Sequence, residues 1–377
     1  MFSEVYITKL SKFLPNEPIS NDEIEDYLGK INNESSKAKN IVLKQNGIKT
    51  RYFAIDKNGN IKFTNSELTA NAIKLLTDNN FKIDDIELLC CSSSLPDQII
   101  PSHASMVHGE LKGKAIEIIS PSGVCCSSMS ALKYGYLSVL SGNSRNAVCS
   151  GSELISPLLR SNFYNGEINE KKSKKVKPLI GFEKDFLRWM LSDGAGAALL
   201  ENKPSNKQCL KIEWIDIISC ANELDVCMYA GAEKDNHKLK SWKEYNQKQW
   251  LDLSIFAIKQ DVKILDKFID SVGAKKLAGI LEKRKFDISE IDYILPHLSS
   301  EYFRYRFKNQ MEKNGLNIPE EKWFTNLANV GNVGSASIYL MMEEIFNSGK
   351  LITGQKLLLL VPESARFTYA IALLTVC

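Results

Sequence analysis

The sequence predicts an α/β fold written as two related halves, and three observations carry that prediction. Short continuous apolar runs alternate with stretches of helical period, as in strands buried on both faces with helices packed over them. An acidic lead into an apolar run occurs twice, as Asp85-Ile86-Glu87-Leu88-Leu89-Cys90-Cys91 and as Glu290-Ile291-Asp292-Tyr293-Ile294-Leu295. The step Leu140-Ser141-Gly142 before Ala147-Val148-Cys149 recurs as Asn347-Ser348-Gly349 before Lys356-Leu357-Leu358-Leu359-Leu360-Val361. Two copies of one unit are implied, each a mostly parallel sheet with helices on both faces and right-handed crossovers. A chain of 377 residues, 44% hydrophobic, can bury one large core or two linked ones.

In the first half, the run ending at Cys91 reads as a strand. Pro121-Ser122-Gly123 reads as a turn, and the amphipathic stretch Val124–Leu137 as a helix that closes at Ser141-Gly142. The run at Ala147 is the next strand, ending at Gly151-Ser152. Cys125 therefore stands at the head of a helix. Unpaired amides there carry partial positive charge and favour thiolate over thiol, which makes Cys125 a candidate nucleophile. The plainer alternative is a small buried cysteine that only packs.

Between the halves lies an insertion from Pro157 to Lys184, in which Lys171-Lys172-Ser173-Lys174-Lys175-Val176-Lys177 places five lysines in seven residues. A solvated loop is one reading. The other is a mobile cover that attracts a phosphate or an acidic carrier. In the second half, Ile291–Leu295 and Pro296 read as a buried strand with His297 the first residue beyond it. Asn332 lies in a glycine-bracketed turn, Asn329-Val330-Gly331-Asn332-Val333-Gly334, that opens another helix. Each could be structural, a His capping a strand and an Asn holding a turn. Together with Cys125 they make a nucleophile and two hydrogen-bond donors for a thioester oxygen or its enolate.

Composition excludes several classes. A net charge of +3 is too slight to argue for nucleic acid. Nine cysteines, an odd number, and a start Met1-Phe2-Ser3-Glu4-Val5 without a basic then apolar leader predict reduced thiols in the cytoplasm. No Cys-x-x-Cys occurs and His103, His108, His237 and His297 show no ligand spacing, so no metal is expected. No apolar run of about eighteen residues is present to span a bilayer.

The order and spacing of these pieces resemble the ketoacyl-carrier-protein synthase III branch of the thiolase superfamily along nearly the whole chain. Tyr6-Ile7-Thr8-Lys9-Leu10 and Gly47-Ile48-Lys49-Thr50-Arg51 are similar to the family's first strand and its following "GI…R" segment. Leu191-Ser192-Asp193-Gly194-Ala195-Gly196-Ala197-Ala198 resembles its "GDGAGA" hairpin, and Pro296-His297 and Gly331-Asn332 match two catalytic positions. Counting back from Leu132, Gly142 and Gly151 at family spacing selects Cys125 over the adjacent Cys126.

The resemblance implies the five-layered αβαβα thiolase fold, with one half over 1–205 and the other over 206–377 around a shared pair of helices starting near Cys125 and Val333. It implies a ketosynthase that condenses two acyl thioesters through an acyl-Cys125 intermediate, with His297 and Asn332 holding the enolate. No bound cofactor is implied, the substrates arriving on the phosphopantetheine of acyl carrier protein or coenzyme A. A homodimer is implied, and a basic segment after His297, here Arg304, Tyr305, Arg306 and Lys308, that docks the carrier. An acyltransferase acting on an alcohol or amine, or an inactive partner subunit, are the alternatives.

Departures from the family pattern narrow the expectation. The glycine-rich loop before the last strand is replaced by Pro362-Glu363-Ser364-Ala365-Arg366-Phe367-Thr368. The position of an adenine-stacking tryptophan in members acting on coenzyme A reads Ile41, which favours carrier-bound substrates. Glu153 and Arg366 around a Cys-His-Asn centre resemble the dialkylresorcinol- and cyclohexanedione-forming ketosynthases. That implies Glu153 moving a proton during a second bond formation with Arg366 holding it; an ordinary salt bridge between them is the alternative. His103 is expected at the tunnel mouth or, better, as a polar cap on its helix.

Overall fold

Nine strands among the described residues form one sheet in the computed structural model, which describes residues 4–175, 177 and 179–377. Val176, within the lysine-rich stretch, Pro178 just after it, and Met1–Ser3 lie outside the described residues. In chain order the strands are β1 (Tyr6–Phe13), β2 (Leu88–Ser93), β3 (Glu117–Ile119), β4 (Asn146–Glu153), β5 (Gly194–Glu201), β6 (Leu210–Ser219), β7 (Tyr293–Pro296), β8 (Lys356–Glu363) and β9 (Thr368–Val376). They lie side by side as β7-β8-β9-β6-β1-β5-β4-β2-β3.

That order contains the repeat. β2, β4, β5 and β1 follow one another as β7, β8, β9 and β6 do, and the two sets join where Tyr6 and Ile7 of β1 face Lys211 and Leu210 of β6. The sheet is mixed rather than mostly parallel. Only β2 with β3, β2 with β4 and β7 with β8 run parallel. Apolar runs show that a strand is buried on both faces but not which way its neighbour runs. Direction follows the connection, and the four residues between β8 and β9 are too few for anything but an antiparallel return.

Alternation along the strands builds the layers. Leu88 and Cys90 of β2 and Leu357 and Leu359 of β8 face a shared centre occupied by α3 (Ser127–Ser141) and α7 (Ser337–Phe346). Leu89 and Cys91 face the other way, onto α1 (Asn65–Lys74) and α2 (His103–Leu111). Leu358 and Leu360 likewise face α5 (Val262–Arg284) and α6 (Tyr302–Lys313). Helix, sheet, helix pair, sheet and helix give the αβαβα stack of the thiolase fold. The central pair is bound by packing of Met129 and Leu132 against Ile338, Met341 and Met342, and by Tyr339 donating its hydroxyl to the Ser128 carbonyl at 3.2 Å.

The insertion is not a free cover, although its lysine-rich stretch is solvated, with Lys172, Lys174, Lys175 and Lys177 exposed. It contains α4 (Asn165–Ser173), with Tyr164 and Ile168 buried against Ile31 and Ala257. Glu167 ties it down, accepting from Lys171 and Lys184 at 2.7 Å and from the Ser254 hydroxyl at 2.9 Å. Among the described residues no helix is long and apolar enough to cross a membrane.

Candidate active site

Cys125 is not inside the first turn of its helix. α3 begins at Ser127 with Cys126 at the cap, so the thiol sits in the turn ahead of it, 8% exposed. Its pKa is pushed well above the ordinary thiol value, by burial first and then by the charges of Glu363 and Glu153. This reverses the expected activation by the helix end. Burial is the larger cause, and the altered loop adds to it: Glu363, at the end of β8, accepts from the Val124 N–H at 3.0 Å and the Cys126 N–H at 3.1 Å. Amides expected to favour a thiolate already hold a carboxylate. Cys126 turns into the core, its Sγ donating to the Val361 carbonyl at 3.1 Å, while Cys125 lines a cavity.

The same cavity, about 270 Å³, is lined by His297 and Asn332. His297 follows β7, its backbone N–H bonded to the Leu360 carbonyl of β8 at 2.8 Å. Its Nε2 is buried without a partner among the described residues, and burial pushes its pKa down to about 4, so the ring is neutral near pH 7. Asn332 stands between Gly331 and Gly334, at φ +74° and +49°, values that favour glycine. Its Oδ1 accepts from the Gly334 N–H at 3.0 Å, which turns the carboxamide so that Nδ2 keeps no protein partner among the described residues. Three distant segments thus present a thiol, an imidazole and an amide to one space.

Glu153 joins them, but without Arg366. Its Oε1 accepts from the Ser94 N–H at 3.2 Å, the Ser94 hydroxyl at 2.6 Å and the Ser335 N–H at 2.9 Å, and burial raises its pKa. Arg366 is exposed and donates to the Leu224 carbonyl at 3.3 Å, so neither the proton-moving pair nor the salt bridge forms. Phe367, fully buried at φ +59°, takes the inward position of that loop and turns Arg366 to solvent. His103 is neither mouth nor cap. Ser102 caps α2, while His103 is buried with Nε2 at 3.1 Å from the Ser152 hydroxyl, behind Glu153.

The expected basic docking patch is neutralised within the chain. Arg304 pairs with Glu301 at 2.5 Å, Arg306 with Asp270 at 2.8 Å and with Asp266, and Lys308 with Glu320 at 2.9 Å. Helical spacing displays the cations of α6, but it does not show the carboxylates that α5 and the flanking loops bring beside them. Asp270 also lines the cavity, amid Leu265, Ile269, Phe303 and Phe307. Asp270 and Glu363 are the residues that reading the sequence missed. For Glu363 a signal existed: it is the charged end of an otherwise buried apolar strand.

The chain is similar to known proteins along its length. The family profile described as 3-Oxoacyl-[acyl-carrier-protein (ACP)] synthase III C terminal matches residues 281–376, which include His297 and Asn332. The beta-ketoacyl-[acyl-carrier-protein] synthase III of Clostridium perfringens is 26% identical over 348 residues, 92% of each chain. Among solved structures, the 3-oxoacyl-[acyl-carrier-protein] synthase III of Aquifex aeolicus superposes with TM-score 0.71 at 20% identity, covering 98% of this chain and 99% of that one. A variant of Xanthomonas campestris OleA with bound lauric acid and lauroyl-CoA superposes with TM-score 0.73 at 17% identity over the full length of both.

Proposed function

We propose, from the premise that this chain is a 3-oxoacyl-[acyl-carrier-protein] synthase III-like condensing acyltransferase, that it joins two acyl thioesters through an acyl-Cys125 intermediate. One observation carries the reading: a single cavity holds a buried thiol, an imidazole Nε2 with no partner and a carboxamide with its Nδ2 free. A buried imidazole nitrogen without a partner is costly to keep, and an arriving oxygen would satisfy it while also accepting from the carboxamide.

In the first half-reaction the Cys125 sulfur forms a bond to the acyl carbonyl and the carrier thiolate leaves. The thiol proton departs with that carrier, so charge balances. In the second, another thioester loses carbon dioxide, or gives an α-proton to the Glu153 carboxylate, which returns it to the released Cys125 sulfur, and becomes an enolate. Its oxygen accepts from Asn332 Nδ2 and from His297 in the Nε2–H tautomer, neutral imidazole donating without giving its proton away. The α-carbon attacks the acyl-Cys125 carbonyl, a carbon–carbon bond forms, and the carbon–sulfur bond breaks to return Cys125.

The wall of Leu187, Met190, Met228, Ile258 and Phe303 suits a fatty-acyl chain. Ile41, 62% exposed, offers no ring for an adenine to stack on, which favours acyl carrier protein over coenzyme A as the second donor. Carrier docking through Arg304, Arg306 and Lys308 requires each to leave its carboxylate partner. The unpaired edge of β3 is where two copies would continue one sheet as a homodimer. Ring closure, if it follows, falls to Glu153 alone.

Mass spectrometry of the intact protein, incubated with acyl carrier proteins and acyl-coenzyme A of varied chain length and followed by product analysis, tests the reading. A mass gain of one acyl group, absent in Cys125→Ala, is expected; full acylation of Cys125→Ala would remove the nucleophile. Glu153→Gln should load normally, and unchanged cyclised product from it would exclude Glu153 as the ring-closing base.

A further inference from the structure

We propose that Glu363 is a positioning residue for Cys125: it caps the turn ahead of α3 with a negative charge and so keeps the resting nucleophile as a thiol rather than a thiolate. The inference rests on Cys125 being the nucleophile, and it concerns the form in which that nucleophile waits.

Geometry carries the argument. Glu363 is 7% exposed, and its Oε2 bridges the amides on either side of Cys125, at 3.0 Å to Val124 and 3.1 Å to Cys126. A helix start offers partial positive charge through its unpaired N–H groups, and that field favours a neighbouring thiolate only while it is unopposed. A carboxylate seated on those groups opposes it. The carboxylate lies close against the turn: a Cβ built on Gly123 would be in ordinary contact with Glu363 Oε2, at 3.5 Å. Gly123 itself takes φ +151°, part of the backbone path that aims Val124 N–H at the carboxylate.

The other titratable groups near the thiol do not restore the field. Glu153 adds a second negative charge, Cys126 and Tyr369 are buried in neutral form, and burial keeps His297 uncharged near pH 7. Among the described residues no Lys or Arg lines the cavity. A thiol is also what thioester exchange conserves, since the departing carrier sulfur takes the proton that Cys125 gives up. A buried thiolate without a substrate would instead invite oxidation.

The test needs no substrate. Iodoacetamide alkylation of Cys125, which forms a thioether and releases iodide and the thiol proton, is followed against pH by peptide-resolved mass spectrometry. In the unsubstituted chain the alkylation midpoint should lie above 9. Glu363→Gln, which keeps the shape but removes the charge, should lower the midpoint by at least about one pH unit, hence roughly tenfold faster alkylation at fixed pH. Glu363→Asp should retain the high midpoint. An unchanged midpoint in Glu363→Gln, or an equal drop in Glu363→Asp, overturns the proposal.

Should Glu363→Gln not fold, the infrared S–H band of Cys125, isolated as the difference between the unsubstituted chain and Cys125→Ala, gives a second reading. Persistence of the band at pH 9 supports the proposal and its loss by pH 8 sinks it. Acyl loading is measured separately. A shifted alkylation profile in a protein that never takes up an acyl group would leave the role of Glu363 standing while the ketosynthase reading fell.

Discussion

Glu153 ends β4 opposite Gly194, the first residue of β5, and Glu363 ends β8 opposite Thr368, the first residue of β9. The two glutamates occupy one register position in the two halves, and each reaches into the other half. Glu153 accepts the Ser335 N–H ahead of α7; Glu363 accepts the Val124 and Cys126 N–H groups ahead of α3. Around them the residues differ. Ser335 stands before α7 where Cys125 stands before α3, and Ser94 follows β2 where His297 follows β7. Ser94 spends its hydroxyl on Glu153, whereas His297 Nε2 has no partner. Duplication thus provides two equivalent meetings of strand end and helix start. Where the polar groups satisfy one another the side chains are held in place, and where one is left open, as at His297, it is available to an arriving group.

The largest expected effect separates loading from condensation. His297→Ala or Asn332→Ala should lower condensation roughly a hundred- to a thousandfold, since each removes a donor to the developing oxyanion. Acylation of Cys125 in these variants should stay within about threefold. Loading lost in step with condensation would break the division of labour between the two strand ends.

A second prediction concerns acid. An unfolded histidine titrates near its ordinary value of about 6.5, but His297 in the folded chain only near 4. Between those values the unfolded state binds the extra proton, so this residue's contribution to stability is lost as pH falls through that window. Urea unfolding at pH 6.5 and 4.5 should show His297→Gln losing less stability than the unsubstituted chain, by up to about 1.4 kcal/mol per pH unit. A difference that is flat with pH would mean the imidazole is not buried as the cavity requires.

The smallest effect is expected on α6. Lys308→Ala should change the Michaelis constant for an acyl carrier protein by less than about twofold, because Lys308 is held by Glu320 and exposed pairs of this kind contribute little. A tenfold rise that disappears at high salt would show that the carrier displaces Glu320 and docks there.

Much of this was legible along the chain. Cys125, His297 and Asn332 lie at ends of elements whose apolar period or bracketing glycines mark them, and repeated strand leads announce two halves. Strand direction was not legible, because burial on both faces writes the same apolar run for either orientation. Nor was the state of the thiol. A helix start visible in sequence suggests activation; the opposing carboxylate lies 238 positions further on and reaches the turn only through the packing of the two halves. Arg366 misled for a related reason: buried Phe367 beside it decides which way that loop faces.

By itself the sequence determined the strands and helices that carry Cys125, His297 and Asn332, and that related strand leads recur in two halves, since these follow from local period and turn chemistry. Tertiary structure alone decided which ends meet, that Glu363 rather than Arg366 faces the nucleophile, and that α6 presents paired rather than free cations. Those outcomes depend on distances between residues remote in sequence, and burial and neighbouring charge act through space rather than along the chain.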